Sequence, residues 1–173
     1  EDDVAVDCYT RAGLSDPNDR QVYDELWKVT ALRKRFGAFN AAVAKILEAH
    51  DRAWWAHYYL GFSRLDDGKP KEALAEFRLA AELNPELMSA RVMVAQVLLT
   101  RLKEVEKGIA ALRKILDDEP GNERARTAIV KVAVLRAQEG RHAEAGELFA
   151  VLIKADPGNP VHHMNLALTF KEQ

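Results

Sequence analysis

The residues able to do chemistry are few, and they stand apart from one another. His162 and His163 form the adjacent histidine pair. Neighbouring residues on a helix point about 100° apart, whereas metal-binding helices place two ligands at i and i+4. The pair therefore reads as packing rather than as a metal site. Glu1-Asp2-Asp3, Asp66-Asp67 and Asp117-Asp118-Glu119 are acidic runs. They lack the alternating carboxylates and glycine of a calcium loop and read as solvated segments. Cys8 is the one cysteine; it has no internal disulfide partner, and no spacing offers it a base. There is no glycine-rich phosphate loop and no nucleophile elbow. Catalysis, a cofactor and a bound metal are accordingly not expected. The densest chemical feature is Ala53–Phe62, AWWAHYYLGF, with two of the three tryptophans and two of the four tyrosines. Aromatic side chains in such a run either fill a core or form a surface for a partner.

Composition bounds the elements that position them. The 173 residues are 48% hydrophobic and 30% charged, with a net charge of -2. That supplies a core and argues against disorder. No basic stripe suits a nucleic-acid backbone. Arg33-Lys34-Arg35, the densest basic run, reads as cations ending a helix. No run approaches the roughly 18 apolar residues of a membrane-spanning helix, so direct membrane insertion is not expected. The sequence has no initiator methionine and reads as cut from a longer protein.

Self-similarity organises the chain. Pro17, Pro85, Pro120 and Pro157 recur at intervals near one or two periods of about 34 residues. Upstream of each lies a small, a large and a medium residue at i, i+4 and i+7. These are Ala5, Tyr9 and Ala12; Ala73, Phe77 and Ala80; Gly108, Leu112 and Ile115; and Ala145, Phe149 and Leu152. On a helix such residues share one face, and the small one lets a second helix approach. Gly68 and Gly140 mark tight turns before these helices, and Pro70 suits a first helical turn. The unit is helix, tight turn, helix.

This pattern resembles the tetratricopeptide repeat (TPR) family, with its W-x2-L-G-x2-Y, A-x3-F and P positions. The unit from Trp54 to Leu87 carries Leu60, Gly61, Gly68, Ala73, Phe77, Ala80 and Pro85 in register. His57 and Arg64 stand where the family has Trp and Tyr. The resemblance implies an all-α solenoid, a right-handed superhelix of about ten antiparallel helices. A single array would fill residues 1–173: a lone second helix over 1–19, repeats over 20–53, 54–87, 88–122 and 123–159, and a lone first helix over 160–173. The 20–53 unit is the least regular. Ala42, Ile46 and Ala49 sit three residues late, which suggests a longer first helix and a shorter exit loop.

In TPR proteins the first helices line the concave surface, and ligands touch their second, fifth and ninth residues among others. In this sequence those places fall on Trp55, Tyr58 and Phe62, with Val92 and Gln96, then Val130 and Val134, in later repeats. Asp24 and Lys28 hold the fifth and ninth places at one end, and Met164 and Leu168 at the other. The groove would run from charged to apolar. His57, Leu60, Gly61 and Arg64 would face the core, and His163 falls at the core place that His57 takes. For Val92, Val130 and Val134, core and ligand surface are equal alternatives. A carboxylate-clamp chaperone binder is excluded: the clamp places hold Tyr58, Phe62, Met93, Thr127 and Lys131, and only the last matches.

The expected function is therefore a non-catalytic protein–protein interaction scaffold, part of a larger TPR protein, taking a protein or peptide with apolar anchors. Val161, Met164, Leu166, Leu168 and Phe170 make the last helix apolar on more than one side, which suggests end-to-end self-association through uncapped terminal helices. A structural spacer, or the targeting module of an enzyme whose catalytic domain lies elsewhere, are the alternatives.

Overall fold

A computed structural model describes residues 2–31 and 36–171. The Arg33-Lys34-Arg35 run lies outside the described residues. Those described form ten α-helices and no strand. They are α1 (Asp2–Ser15), α2 (Arg20–Ala31), α3 (Phe36–Ala49), α4 (Trp54–Asp66), α5 (Pro70–Leu83), α6 (Met88–Thr100), α7 (Val105–Asp118), α8 (Glu123–Gln138), α9 (His142–Ala155) and α10 (Pro160–Lys171). The packing divides the chain into two compact units, Glu1–Val97 and Leu98–Gln173. In the first, α1 packs on α2 and α3, and α4 on α5; in the second, α8 packs on α9, and α9 on α10.

Proline positions the turns. It is the second residue of the connections at 16–19, 84–87, 119–122 and 156–159, each following a helix whose last turn it cannot extend. The connection at 50–53 lacks proline but has the same length, so the exit loop expected to be shorter is not. The register expected for α3 also differs. Its buried face is Phe39, Ala42, Val43 and Ile46, while Ala49 is exposed. Phe39 stands where the other units carry a small residue, and that concealed the ordinary register.

Tight turns within the helix pairs need a left-handed residue. Gly68 and Gly140 supply it at φ 72° and 74°, without the steric cost a Cβ would bring. Before α7 the same conformation falls to Lys103, at φ 59°.

The α4–α5 pair shows what sets the spacing of two helices. Gly61 faces the Phe77 ring, and a Cβ there would lie 2.5 Å from Cε1. Such a contact requires the ring to move. At the end of this pair Arg64 lies 3.5 Å from Glu72 and 3.8 Å from Asp67. The α8–α9 pair repeats the device: Ala133 and Phe149 are buried, and the buried Arg136 meets Glu139 at 3.0 Å and Glu144 at 3.6 Å.

His57, only 8% exposed, sits between two acceptors. Nδ1 is 2.8 Å from Glu76 Oε2, and Nε2 is 3.2 Å from the Asp51 carbonyl oxygen. Only an imidazolium donates to both. Burial lowers its pKa, but the Glu76 hydrogen bond and charge and the Asp51 carbonyl outweigh it, and the net shift is upward.

Four outcomes follow from this packing. Gly61→Ala costs about 1–3 kcal/mol, as overpacking does, and lowers the thermal midpoint. The same substitution at exposed Gly37, where a Cβ meets nothing within 4 Å, leaves stability unchanged or higher. Lys103→Gly stabilises by roughly 1 kcal/mol by relieving the left-handed backbone. The His57 pair also ties stability to pH. Its folded pKa lies above the ordinary 6.5, so its contribution is complete below pH 6.5 and is lost as pH rises through the folded value. Chemical denaturation across that window shows wild-type stability falling more than that of Glu76→Gln.

Candidate functional site

The candidate site is the α4 face that carries Trp55, Tyr58 and Phe62. Helical spacing puts the three on adjoining turns, and all three are half-buried. Their rings meet edge to face: Trp55 and Tyr58 at 5.3 Å between centroids, Tyr58 and Phe62 at 5.2 Å. Phe62 continues to Phe77 of α5 at 5.2 Å. Contacts of this geometry add about 0.5–1.5 kcal/mol each beyond the area they bury. The rings thus form a stiff surface, and each keeps part of itself open.

Tyr59, buried and edge to face with Tyr58 at 5.5 Å, anchors α4 to α2. It stacks on Tyr23 at 5.9 Å, and its hydroxyl donates to Asp24 Oδ1. Asp24 also forms an ion pair with Arg20, Oδ2 to Nε at 3.2 Å, and the Arg20 guanidinium lies 5.3 Å from the centre of the Trp55 ring. Burial pushes the Tyr59 hydroxyl well above the ordinary tyrosine range, reinforced by Asp24 and opposed by Arg20. Tyr59 therefore stays a neutral donor. Tyr23 is shifted upward by burial too, and donates to the Pro17 carbonyl at 2.8 Å. Trp27 completes the layer, 5.1 Å from Phe39 and 6.3 Å from Phe62. Lys28 pairs with Glu25 at 2.6 Å.

The sequence-derived candidates divide accordingly. Trp55, Tyr58 and Phe62 come together. Val92 is 2% exposed and belongs to the core, so it offers nothing to a ligand; it is withdrawn from the candidate surface. Gln96 is half-buried on α6. Val130 and Val134 lie on α8 in the second unit, half-buried and 39% exposed respectively. Met164 and Leu168 are exposed on α10.

His163 is not at the core place expected of it. His162 is buried against the rest of its unit, whereas His163 is exposed and meets the Pro157 carbonyl at 3.0 Å. The place His163 shares with His57 faces the second helix of a pair, and no such helix follows α10 among the described residues. No group of three His, Cys, Asp or Glu able to hold a metal occurs among them, and no described helix is long and apolar enough to cross a membrane. The sequence reading missed Trp27, Tyr23 and Tyr59 as parts of this layer. Tyr23 and Trp27 one turn apart, followed by Phe36 and Phe39, were the available signal.

No protein-family model matches the chain, and no curated protein matches it. Solved structures do. MamA is similar at a TM-score of 0.64 and 20% identity, over 90% of this chain and 89% of that one. YrrB, described as a TPR protein with an unusual peptide-binding site, is similar at 0.60 and 23% identity, over 94% and 82%. A thermophilic TPR protein of Thermus thermophilus is similar at 0.52 and 18% identity, over 98% and 91%. With its paired helices, its Gly61–Phe77 contact and its proline turns, the chain has the tetratricopeptide-repeat fold.

Proposed function

We propose that this chain is a non-catalytic protein–protein interaction scaffold, a single TPR array that takes a peptide with apolar anchors on the α4 face. The observation that carries this is the edge-to-face set Trp55, Tyr58 and Phe62, half-open and rigid above a buried polar anchor at Tyr59. Rigid aromatics lose little entropy on binding and dominate interface energetics. Arg20, over the Trp55 ring and paired with Asp24, puts both signs of charge beside the rings, which suits polar groups flanking the anchors. The clamp places on the same helix hold Tyr58 and Phe62, which bring neither the cation nor the amide that a terminal carboxylate needs in exchange for its water. The peptide-binding site of the similarly folded YrrB is in keeping with this reading. End-to-end self-association through α1 and α10 is a second part of it.

A spacer with a self-filled groove is the competing reading, favoured by the contacts the rings make with one another. Peptides selected from a displayed library against the wild-type chain decide between them. Apolar-anchored peptides are expected, with Trp55→Ala and Phe62→Ala each weakening binding by roughly 30-fold, the effect of a 2 kcal/mol anchor. Far-ultraviolet circular dichroism checks that each variant folds. Failure to select any peptide, or equal binding by both folded variants, leaves the spacer.

A further inference from the structure

Helices α2, α4 and α10 share a tie to the connection that precedes each of them, made by the fourth residue of the helix. The Tyr23 hydroxyl donates to the Pro17 carbonyl at 2.8 Å, His57 Nε2 meets the Asp51 carbonyl at 3.2 Å, and His163 Nε2 meets the Pro157 carbonyl at 3.0 Å. Each carbonyl lies six residues back, on the second residue of its connection. The tie supplies a donor where the backbone has no helical partner to offer. Burial raises the Tyr23 hydroxyl far above the neutral range, so that tie holds at any ordinary pH. His163 is exposed, and water can take the place of its bond. Of the three, His57 alone is both a buried side chain and an imidazole.

His57 also has a second acceptor, Glu76 Oε2, 2.8 Å from Nδ1. Glu76 is the seventh residue of α5; the same place in α1, α3, α7 and α9 holds Cys8, Ala42, Ala111 and Leu148. Two acceptors require two ring protons. When one proton leaves, a bare Nδ1 would set its lone pair against a carboxylate, whereas a bare Nε2 sets it against a neutral carbonyl. The second repulsion is the smaller, so the neutral ring keeps Nδ1–H on Glu76 and turns its lone pair to Asp51. Glu76 and Asp51 are the charged groups that act on the ring. On the α2 side, Arg20 and Asp24 meet α4 at Tyr59, about 200° round the helix from His57. Asn40 meets α4 from α3 at Ser63, and Ala90 of α6 is apolar. His50, in the same connection, meets the Leu14 carbonyl at 2.9 Å.

We propose that His57 is a proton-operated latch on the joint between α3 and α4: the charged ring holds the 50–53 connection to α4, and the neutral ring releases it while staying bonded to α5. The latch is separate from the scaffold reading and uses none of the Trp55, Tyr58 and Phe62 face. Burial opposes the ring's charge, but the Glu76 and Asp51 bonds outweigh it. The latch is therefore shut below pH 6.5 and opens as pH rises through the folded value. Opening is local. The start of α4 keeps the bond from Trp54 N to Asn18 Oδ1 at 3.1 Å, and Ala53 N keeps only its bond to the His50 carbonyl, also at 3.1 Å. The connection loosens while α4 stays seated.

Nuclear magnetic resonance of the isotope-labelled 173-residue chain, titrated across roughly pH 5.5 to 9.5, either side of the ordinary imidazole value, tests this. The His57 ring nitrogens are expected to pass from both protonated to Nδ1 alone protonated. At the same midpoint the protection of the Ala53 amide against hydrogen exchange falls roughly 5-fold, the effect of one lost hydrogen bond. The Asp19 amide, bonded to the Asp16 carbonyl at 3.4 Å in the connection that Tyr23 ties, shows no such step. The Ala53 step moves to lower pH in Glu76→Gln, vanishes in His57→Gln and persists in His50→Gln. Circular dichroism checks that each variant folds, and Glu76→Gln keeps the test decisive if His57→Gln does not. A ring that stays in one state throughout overturns the proposal. So do a neutral ring protonated on Nε2, Ala53 protection that is level while the ring titrates, an equal step at Asp19, and a step that survives His57→Gln or is lost in His50→Gln.

Discussion

A Cβ on Gly61 would lie 2.5 Å from the Phe77 ring, and the absence of that atom fixes how near α4 lies to α5. Much else in the first unit follows from it. With α4 held there, Phe62 reaches Phe77, Tyr58 reaches both, and His57 comes within hydrogen-bonding distance of Glu76. A wider separation would open the ring contacts and leave an imidazolium beside an unpaired acceptor. Glycine inside a helix costs roughly 0.5–1 kcal/mol relative to alanine. The dense aromatic packing that becomes possible offsets it.

Polar groups inside this packing are satisfied locally rather than by water. Tyr59 reaches Asp24, Tyr23 reaches a backbone carbonyl, and Ser63 donates to Asn40 at 2.8 Å. Each bond ties α4 or α2 to a neighbour and fixes a rotation as well as a distance. The α4 face is held in place because Tyr59, whose ring meets Tyr58 at 5.5 Å, is itself pinned in this way. A surface so held presents its rings without first having to order them, which is where much of the cost of association falls.

The α5 and α9 faces were legible in the sequence because small, large and medium residues recur there at helical spacing. Gly68 and Gly140 were legible because a left-handed turn selects glycine; Lys103 was not, since lysine carries no such signal. The α3 register was hidden by Phe39, a large residue at a place where the pattern has a small one. Three of the aromatics picked for the candidate site do gather on one face. Val92 did not join them, because valine suits a core and a binding surface equally and only its neighbours decide. His163 was misplaced for a related reason: a position that is core inside an array is surface where the next helix is not described.

The aromatic layer has an optical consequence. All three tryptophans and all four tyrosines fall before Val97, within the first compact unit. Near-ultraviolet absorbance beyond phenylalanine, and the whole of the intrinsic tryptophan emission, therefore arise from that unit alone. Helix α10 and everything back to Leu98 are dark by these probes, while they contribute fully to the far-ultraviolet helical signal. The two signals, followed together through a denaturation, report different parts of one chain. Whether their transitions coincide reads out directly how cooperative the two units are.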